Sequence, residues 1–152
     1  MERQKDKAWM RRAIELAGRN VGLTGDNPSV GCVIVKRGVV VGEAATAPGG
    51  RPHAEEQAID QAGAAAKDAS VYVTLEPCGE RTGGSPSCGE RLALAGVSRV
   101  FAACADPSSF AAGRGVERLR AAGIAVDFGL QREEAELLYL DYRPHDRSPA
   151  GR

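Results

Sequence analysis

The chain lacks an excess of charge of either sign, since its 152 residues include 20 lysines and arginines and 20 aspartates and glutamates. Proteins dedicated to nucleic acids usually carry a basic excess, because contacts to phosphates supply much of their affinity. The neutral balance leaves room for a local basic patch. It nevertheless disfavours a nucleic-acid partner.

Long apolar runs are also missing, and none approaches the roughly 20 residues that a membrane-spanning helix needs. The charged N-terminus, residues 1–7, has neither the apolar centre nor the small-residue cleavage site of a secretory signal. These absences predict a cytoplasmic protein without a membrane partner. Thiols stay reduced in that compartment, so the four cysteines are candidates for metal binding or burial rather than for disulfides.

Repeats, low-complexity tracts and linkers are absent, so residues 1–152 are predicted to form a single domain with a frayed tail over about 144–152. Helical spacing predicts a first helix near Trp9–Ala17 that stops at Gly18, and two β-branched runs flanking Lys36-Arg37-Gly38 predict a hairpin. Helices are then predicted over residues 53–66, 88–95, 115–122 and 132–142, and strands over 71–75, 100–103 and 124–128. This order predicts an α/β fold in which helices cover both faces of a mixed sheet.

Three short segments carry the chemistry: His53-Ala54-Glu55, Pro77-Cys78 and Cys88. Both cysteines lie near the start of a predicted helix, where the helix dipole favours thiolates. One imidazole and two thiolates are the protein ligands of a tetrahedral zinc site whose fourth position is open to water, and zinc lowers the pKa of that water. Zinc-dependent nucleobase deaminases combine such a site with a non-ligating glutamate that moves protons, the role expected of Glu55.

Structural alternatives exist for several of these residues. Cys78 and Cys88 could belong to a closed structural zinc site, but the only other histidine, His145, lies in the tail. Glu55 could be a solvated helical carboxylate, which is the interpretation given to Glu56 and Asp60. Simple burial is predicted for Cys32 and Cys104, which lie within apolar strands. Asn27 and Asp106 each precede a proline, so a turn is the alternative interpretation for them.

His53-Ala54-Glu55 with Thr74-Leu75-Glu76-Pro77-Cys78 resembles the cytidine-deaminase-like superfamily, and within it the deaminase half of the bifunctional riboflavin-biosynthesis proteins. The likeness runs from about Trp9 to Tyr142. Nine residues separate the two cysteines, whereas base and nucleoside deaminases usually have two there, and a long insertion is typical of the riboflavin branch. Further matching segments are Asn27-Pro28-Ser29-Val30-Gly31, Gly49-Gly50-Arg51-Pro52, Asp106-Pro107 and Gly113-Arg114-Gly115.

The resemblance implies a three-layer α/β/α sandwich with a five-stranded mixed sheet. It also implies a zinc-dependent hydrolase that deaminates diaminohydroxyphosphoribosylaminopyrimidine and assembles as a homodimer or homotetramer. His53, Cys78 and Cys88 match the zinc ligands, and Glu55 matches the proton shuttle. The residues expected on the substrate side are Asn27, Ala54, Asp106, Ser108, Arg51 and Arg81. The two arginines among them are expected to bind a phosphate. The companion reductase domain of the family is expected to be absent.

The sequence departs from the family pattern on the substrate side. The segment between the cysteines is one residue longer than usual and has Glu80 where histidine is common, while Thr46 and Ser108 replace histidine and asparagine. Two other functions therefore stay open. The chain could deaminate another free base, nucleoside or amino-heterocycle of the cytosine or guanine type, or it could be a catalytically inactive, zinc-bound partner subunit. A role in tRNA editing is disfavoured by the neutral charge and the long segment between the cysteines.

Overall fold

A computed structural model describes residues 2–79, 86–106 and 113–142 of the chain. In chain order the helices and strands are α1 (Glu2–Asn20), β1 (Gly31–Lys36), β2 (Val39–Ala45), α2 (Ala54–Ala62), β3 (Ser70–Leu75), α3 (Cys88–Ala95), β4 (Arg99–Cys104), α4 (Arg114–Ala121), β5 (Ala125–Phe128) and α5 (Arg132–Glu136). Short 3₁₀ turns follow α2 and α5, at Gly63–Ala66 and Leu137–Tyr139. No helix within the described ranges has the length and apolar character needed to cross a membrane.

The five strands form one mixed sheet in the order β2-β1-β3-β4-β5. The hairpin β1–β2 is antiparallel, with Lys36 opposite Val39 across a two-residue turn. Both turn residues, Arg37 and Gly38, have positive φ angles, as a tight hairpin turn requires. Strand β1 also runs antiparallel to β3, whereas β3, β4 and β5 are parallel to one another. The parallel strands end at one edge of the sheet, and this edge carries the residues predicted to do chemistry.

Helices cover both faces of the sheet at very close range, and two glycines allow this approach. A Cβ atom on Gly31 of β1 would lie 1.8 Å from the carbonyl oxygen of Ala13 in α1, and one on Gly42 of β2 would lie 2.2 Å from that of Ala58 in α2. Strand β1 is therefore enclosed between α1 and α2, which explains why its first five residues are buried. The predicted three-layer α/β architecture with a five-stranded mixed sheet is confirmed.

Several predicted helix boundaries were wrong. Helix α1 begins at Glu2, before the predicted start near Trp9, and the helix predicted over 53–66 is α-helical only to Ala62. Two other boundaries changed because tertiary contacts extend or tighten the local structure. Helix α1 continues past Gly18 to Asn20, whose side-chain amide donates to the carbonyl of Thr46 at 2.9 Å. A glycine inside a helix costs only about 0.5–1 kcal/mol, so one such contact suffices to offset it. The last predicted helix narrows to a 3₁₀ turn after Glu136, from which the hydroxyl of Tyr139 donates to the carbonyl of Ser29 at 3.0 Å.

Candidate metal centre

His53 is placed by the residues around the start of α2. It is the buried N-cap of that helix, and its backbone N–H donates to the Glu56 carboxylate at 3.5 Å. The side-chain amide of Gln57 donates to the carbonyls of Ala45 at 2.7 Å and Pro52 at 3.1 Å. These bonds fix both ends of the loop that leads into His53, so the backbone of His53 is held in place.

Cys78 and Cys88 meet between the end of β3 and the start of α3. Cys88 is the first residue of α3, and the preceding Ser87 caps the helix by accepting from the N–H of Glu90 at 3.1 Å. The N–H of Cys88 donates to Sγ of Cys78 at 3.2 Å, and the N–H of Gly89 donates to the carbonyl of Cys78 at 2.9 Å. A thiolate is stabilised both by such a donor and by the positive end of a helix dipole, so the local backbone favours the metal-binding form of Cys78.

The three predicted ligands converge on one point. The ligand atoms of His53, Cys78 and Cys88 all lie within 4.8 Å of one another, and all three residues are buried. Sγ of Cys88 lies 3.4 Å from Nδ1 of His53. In a tetrahedral zinc site with ordinary bond lengths, an imidazole nitrogen and a thiolate sulfur are about 3.6 Å apart. The spacing and the donor set therefore fit zinc. Within the described residues, the group contains these three side chains, and three protein ligands are typical of a catalytic rather than a structural site.

Glu55 follows His53 by two residues and is completely buried, with an exposed fraction of 0%. Its surroundings include Cys32 on β1. Burial raises the pKa of the Cys32 thiol well above its usual value, and the negative charge of Glu55 raises this pKa further. The carboxylate of Glu55 thus acts on groups inside the protein and is not a solvated helical side chain.

The other two cysteines are buried neutral thiols, as the sequence predicts. Burial raises the pKa of Cys104 to about 11, and the charge of Glu136 adds to this effect. All four cysteines are free of disulfides. Cys78 and Cys88 thus lie beside a histidine, whereas Cys32 and Cys104 are packed within strands.

The structure describes four of the six residues predicted to contact substrate. Asn27 is partly buried and its amide donates to the carbonyl of Gly50 at 2.9 Å, three residues before His53. Ala54 and Asp106 are buried, and Arg51 is exposed. The remaining two, Ser108 and Arg81, lie outside the described residues, as does Glu80.

Thr46, which replaces the family's histidine, is buried. Its hydroxyl accepts from the N–H of Val30 at 2.9 Å, so it serves the packing of the loop before β1. Asn27 also lines a cavity of about 280 Å³ with Tyr139 and Tyr142, and the three metal-binding residues lie outside this cavity.

Two arginines that the sequence analysis did not single out hold the ends of the segment between the cysteines. Nε of Arg118 donates to the carbonyl of Gly79 at 2.8 Å, and Nε of Arg91 donates to the carbonyl of Pro86 at 3.3 Å. Arg91 also lies 3.9 Å from the Glu56 carboxylate. The interpretation of Glu56 as a solvated side chain was therefore wrong. Its side chain is only 15% exposed, because it packs between His53 and Arg91. Helical periodicity marks the faces of α3 and α4 but not the loops they contact, so no local signal identified these arginines.

Gly115 allows the first turn of α4 to press against the segment that contains Cys78. A Cβ atom at this position would lie 2.1 Å from the carbonyl oxygen of Pro77. We therefore expect Gly115→Ala to lower the free energy of unfolding by about 1–3 kcal/mol, the usual range for overpacking. We also expect weaker zinc binding, because relief of the clash requires Pro77 and Cys78 to move. Urea denaturation and zinc titration measure the two effects.

Gly18→Ala provides the control for this prediction, since the nearest atom to its Cβ would be Leu138 Cδ2 at 3.9 Å. Alanine within a helix is favoured over glycine by about 0.5–1 kcal/mol, so this variant should be as stable as the parent protein or slightly more stable. Equal losses of stability in Gly18→Ala and Gly115→Ala would contradict the packing argument.

Comparison with known proteins finds the same fold and related sequences. The model of the cytidine and deoxycytidylate deaminase zinc-binding region matches residues 3–104. The chain is 50% identical over 134 residues to the riboflavin biosynthesis protein RibD of Escherichia coli, which covers 88% of this chain and 36% of that protein. A solved structure of RibD from Acinetobacter baumannii has a TM-score of 0.88 and 45% identity over 93% of this chain and 40% of the other.

A second solved structure is a diaminohydroxyphosphoribosylaminopyrimidine deaminase/5-amino-6-(5-phosphoribosylamino)uracil reductase from Thermotoga maritima. It has a TM-score of 0.84 and 36% identity over 91% of this chain and 40% of that chain. The chain therefore spans about two fifths of the length of these relatives. The matched region contains the buried histidine, both cysteines of the metal-binding group and Glu55. On this evidence the chain belongs to the family of proteins that contain the cytidine and deoxycytidylate deaminase zinc-binding region.

Proposed function

We propose that this chain is a zinc-dependent deaminase that converts diaminohydroxyphosphoribosylaminopyrimidine to the corresponding oxo-pyrimidine and ammonia in riboflavin biosynthesis. The observation that carries the proposal is the position of Glu55. This buried carboxylate lies two residues along the chain from His53, and His53 belongs to a group of one imidazole and two thiols that can hold a metal ion. A structural zinc site does not require an additional buried carboxylate. Burying a carboxylate costs free energy, so its presence favours a catalytic site.

The proposed reaction divides its work between the metal and Glu55. Zinc, when bound by His53, Cys78 and Cys88, activates water for attack near neutral pH. The carboxylate of Glu55 takes a proton from the attacking water. It then returns that proton to the exocyclic amino nitrogen as the bond between this nitrogen and the ring carbon breaks. Ammonia leaves a hydroxyl on the ring carbon, and the proton of this hydroxyl moves to the neighbouring ring nitrogen to give the ring carbonyl, while Glu55 ends in its starting form.

The backbone around the ligands supports this assignment. The N–H of Cys88 donates to the sulfur of Cys78, and α3 begins at Cys88, so part of the thiolate charge is offset before a cation arrives. Hydrogen bonds to ligand atoms also tune how strongly a metal is held. His53, Cys78 and Cys88 are the proposed ligands, and Glu55 is the proposed catalytic residue.

The choice of substrate is supported by the relatives and by the residues at the same sheet edge. The names of the relatives refer to riboflavin biosynthesis, and that of the Thermotoga maritima protein gives a phosphoribosylated aminopyrimidine. Asp106 follows β4, beside the segment with Cys78 that follows β3. We propose that Asp106 and Asn27 contact the substrate, that Arg51 and Arg81 bind its phosphate, and that Ala54 and Ser108 also contact the substrate.

Ammonia release by the zinc-loaded protein tests this function. We expect rapid turnover of the ribosylamino phosphate substrate, and at least about 100-fold lower kcat/KM with cytosine, cytidine or guanine, since a site built for a phosphate strongly disfavours substrates that lack it. Turnover of a free base or nucleoside instead would replace the proposed substrate with another amino-heterocycle. No turnover of any amino-heterocycle by folded, zinc-loaded protein would favour the inactive partner subunit.

We propose that the enzyme acts in the cytoplasm as a homodimer or homotetramer. The free state of all four thiols is compatible with a reducing compartment. The assembly is proposed from the resemblance to the deaminase family. Sedimentation velocity of the zinc-loaded protein measures the number of subunits.

A further inference from the structure

Glu76 is a buried carboxylate that the proposed chemistry does not use. It follows β3 directly and precedes Pro77 and Cys78, and its exposed fraction is 2%. Its backbone N–H donates to the carbonyl of Cys104 at 2.9 Å, which continues the pairing of β3 with β4. The main chain of Glu76 is thus fixed by the sheet, and the side chain extends from a rigid base.

Each oxygen of this carboxylate accepts a backbone N–H. Oε1 accepts from Asp106 at 2.9 Å, and Oε2 accepts from Gly113 at 2.8 Å. These two residues are the described ends of the connection between β4 and α4. A carboxylate has acceptors on both oxygens, whereas a glutamine of the same shape would present an amide group, a donor only, to one of the two N–H groups.

Both ends lie beside the segment that contains Cys78. Asp106 is buried beyond the end of β4, and β3 and β4 are parallel, so Asp106 and Cys78 share one edge of the sheet. Gly113 caps α4, whose Gly115 packs against the carbonyl of Pro77. One side chain therefore links the metal-binding segment to both ends of the connection that carries Asp106.

We propose that Glu76 is a positioning residue. Through its two hydrogen bonds it holds Asp106 in the position, relative to the metal centre, that substrate binding requires. The proposal rests on the proposed function in one respect, the contact of Asp106 with substrate. The proposal assigns Glu76 no contact with substrate or metal. Its effect is on the geometry of the connection, so its loss should weaken substrate binding more than it slows the chemical step.

The test compares Glu76→Gln with the parent protein, both loaded with zinc. We expect hydrogen exchange at the backbone N–H of Asp106 or Gly113 to accelerate at least about tenfold, because one of the two N–H groups loses its acceptor. We expect KM to rise about tenfold with kcat changed less than about threefold, the pattern for loss of binding that is shared by ground state and transition state. The zinc content should stay at the parent value.

Glu43→Gln is the matched control. The two oxygens of Glu43 also each accept an N–H, from Nε and Nη2 of Arg12, both at 2.9 Å, but this pair joins α1 to β2 away from the metal centre. This variant should leave KM and exchange at Asp106 and Gly113 unchanged. An equal rise of KM in both variants would assign the effect to general destabilisation and overturn the proposal.

Two further results would overturn it. Unchanged hydrogen exchange at both N–H groups in Glu76→Gln would show that the carboxylate does not bind them. Faster exchange with an unchanged KM would show that these two hydrogen bonds do not position the substrate. If Glu76→Gln does not fold, the parent protein decides, because rapid exchange at both groups there is incompatible with the two hydrogen bonds. Absence of turnover by the parent protein would count against the proposed function and not against the two hydrogen bonds, since the exchange measurement needs no substrate.

Discussion

Glu55→Gln is expected to lower kcat by about 10²–10⁴-fold or more, the usual contribution of general acid–base catalysis, while the protein stays folded and binds one zinc ion. Glutamine has almost the same volume, so the buried position with 0% exposure remains filled. It cannot accept the proton from water or return it to the amino nitrogen. The loss should appear in kcat and in kcat/KM to the same extent, because the interaction belongs to the transition state. Ammonia release at saturating substrate, together with zinc analysis, provides the measurement.

Asp60→Asn is the control on the same helix. Asp60 lies on the exposed side of α2, so the same change from carboxylate to amide should leave kcat within about twofold, as expected for a surface position. Retained activity in Glu55→Gln would show that another group moves the proton. Loss of zinc from this variant would show that Glu55 supports the metal instead.

Cys88→Ser is expected to weaken zinc binding by more than about 100-fold, since even loss of an outer-shell partner costs about 10–100-fold. Sγ of Cys88 lies 3.4 Å from Nδ1 of His53. The group contains two thiols, and the neutral hydroxyl of serine is a poor substitute for a thiolate ligand. The variant should lose zinc to a mild chelator and show no deamination. Chelator should lower the Tm of the parent protein, because a bound ion stabilises the folded state, but should leave the Tm of Cys88→Ser unchanged.

Cys104→Ser separates metal binding from simple burial. Cys104 is also a buried thiol, but it lies on β4 with its sulfur 3.9 Å from the carbonyl of Arg132. This variant should lose some stability and keep one zinc ion per chain. Full zinc binding by Cys88→Ser, or complete loss of zinc from Cys104→Ser, would refute the assignment of ligands.

Much of the fold was predictable because its signals are local. Alternation of β-branched strands with amphipathic helices indicates a mixed sheet, and the observed hairpin turn falls at Arg37-Gly38, within the predicted turn. Two of the boundaries that failed depend on distant residues. Gly18 stays helical where the end of α1 bonds to Thr46, and the last predicted helix narrows to a 3₁₀ turn where Tyr139 bonds to Ser29.

The metal-binding group was also predictable from the sequence, because its three residue types have few alternatives. The chain has only two histidines, and the spacing His53-Ala54-Glu55 places a possible ligand and a carboxylate at the same helix start. Motif spacing does not reveal how such residues are held. Glu76 lies within the motif Thr74-Leu75-Glu76-Pro77-Cys78, yet its hydrogen-bond partners Asp106 and Gly113 are 30 and 37 residues away in the sequence. Arg118 reaches Gly79 across 39 residues.

The sequence by itself determined which groups are candidates for the chemistry: an imidazole, two thiols beside a helix start, and a carboxylate two residues from the histidine. It did so because metal coordination and proton transfer require particular functional groups, and few residues of the chain supply them. Only the tertiary structure decided that the imidazole and the two thiols are buried with their ligand atoms within 4.8 Å of one another, that the carboxylate of Glu55 is also buried, and that Glu76 links the Cys78 segment to Asp106. Parallel pairing of β3 with β4 places the ends of both strands at one edge of the sheet, and hydrogen bonds between residues far apart in sequence depend on that packing, which no local pattern encodes.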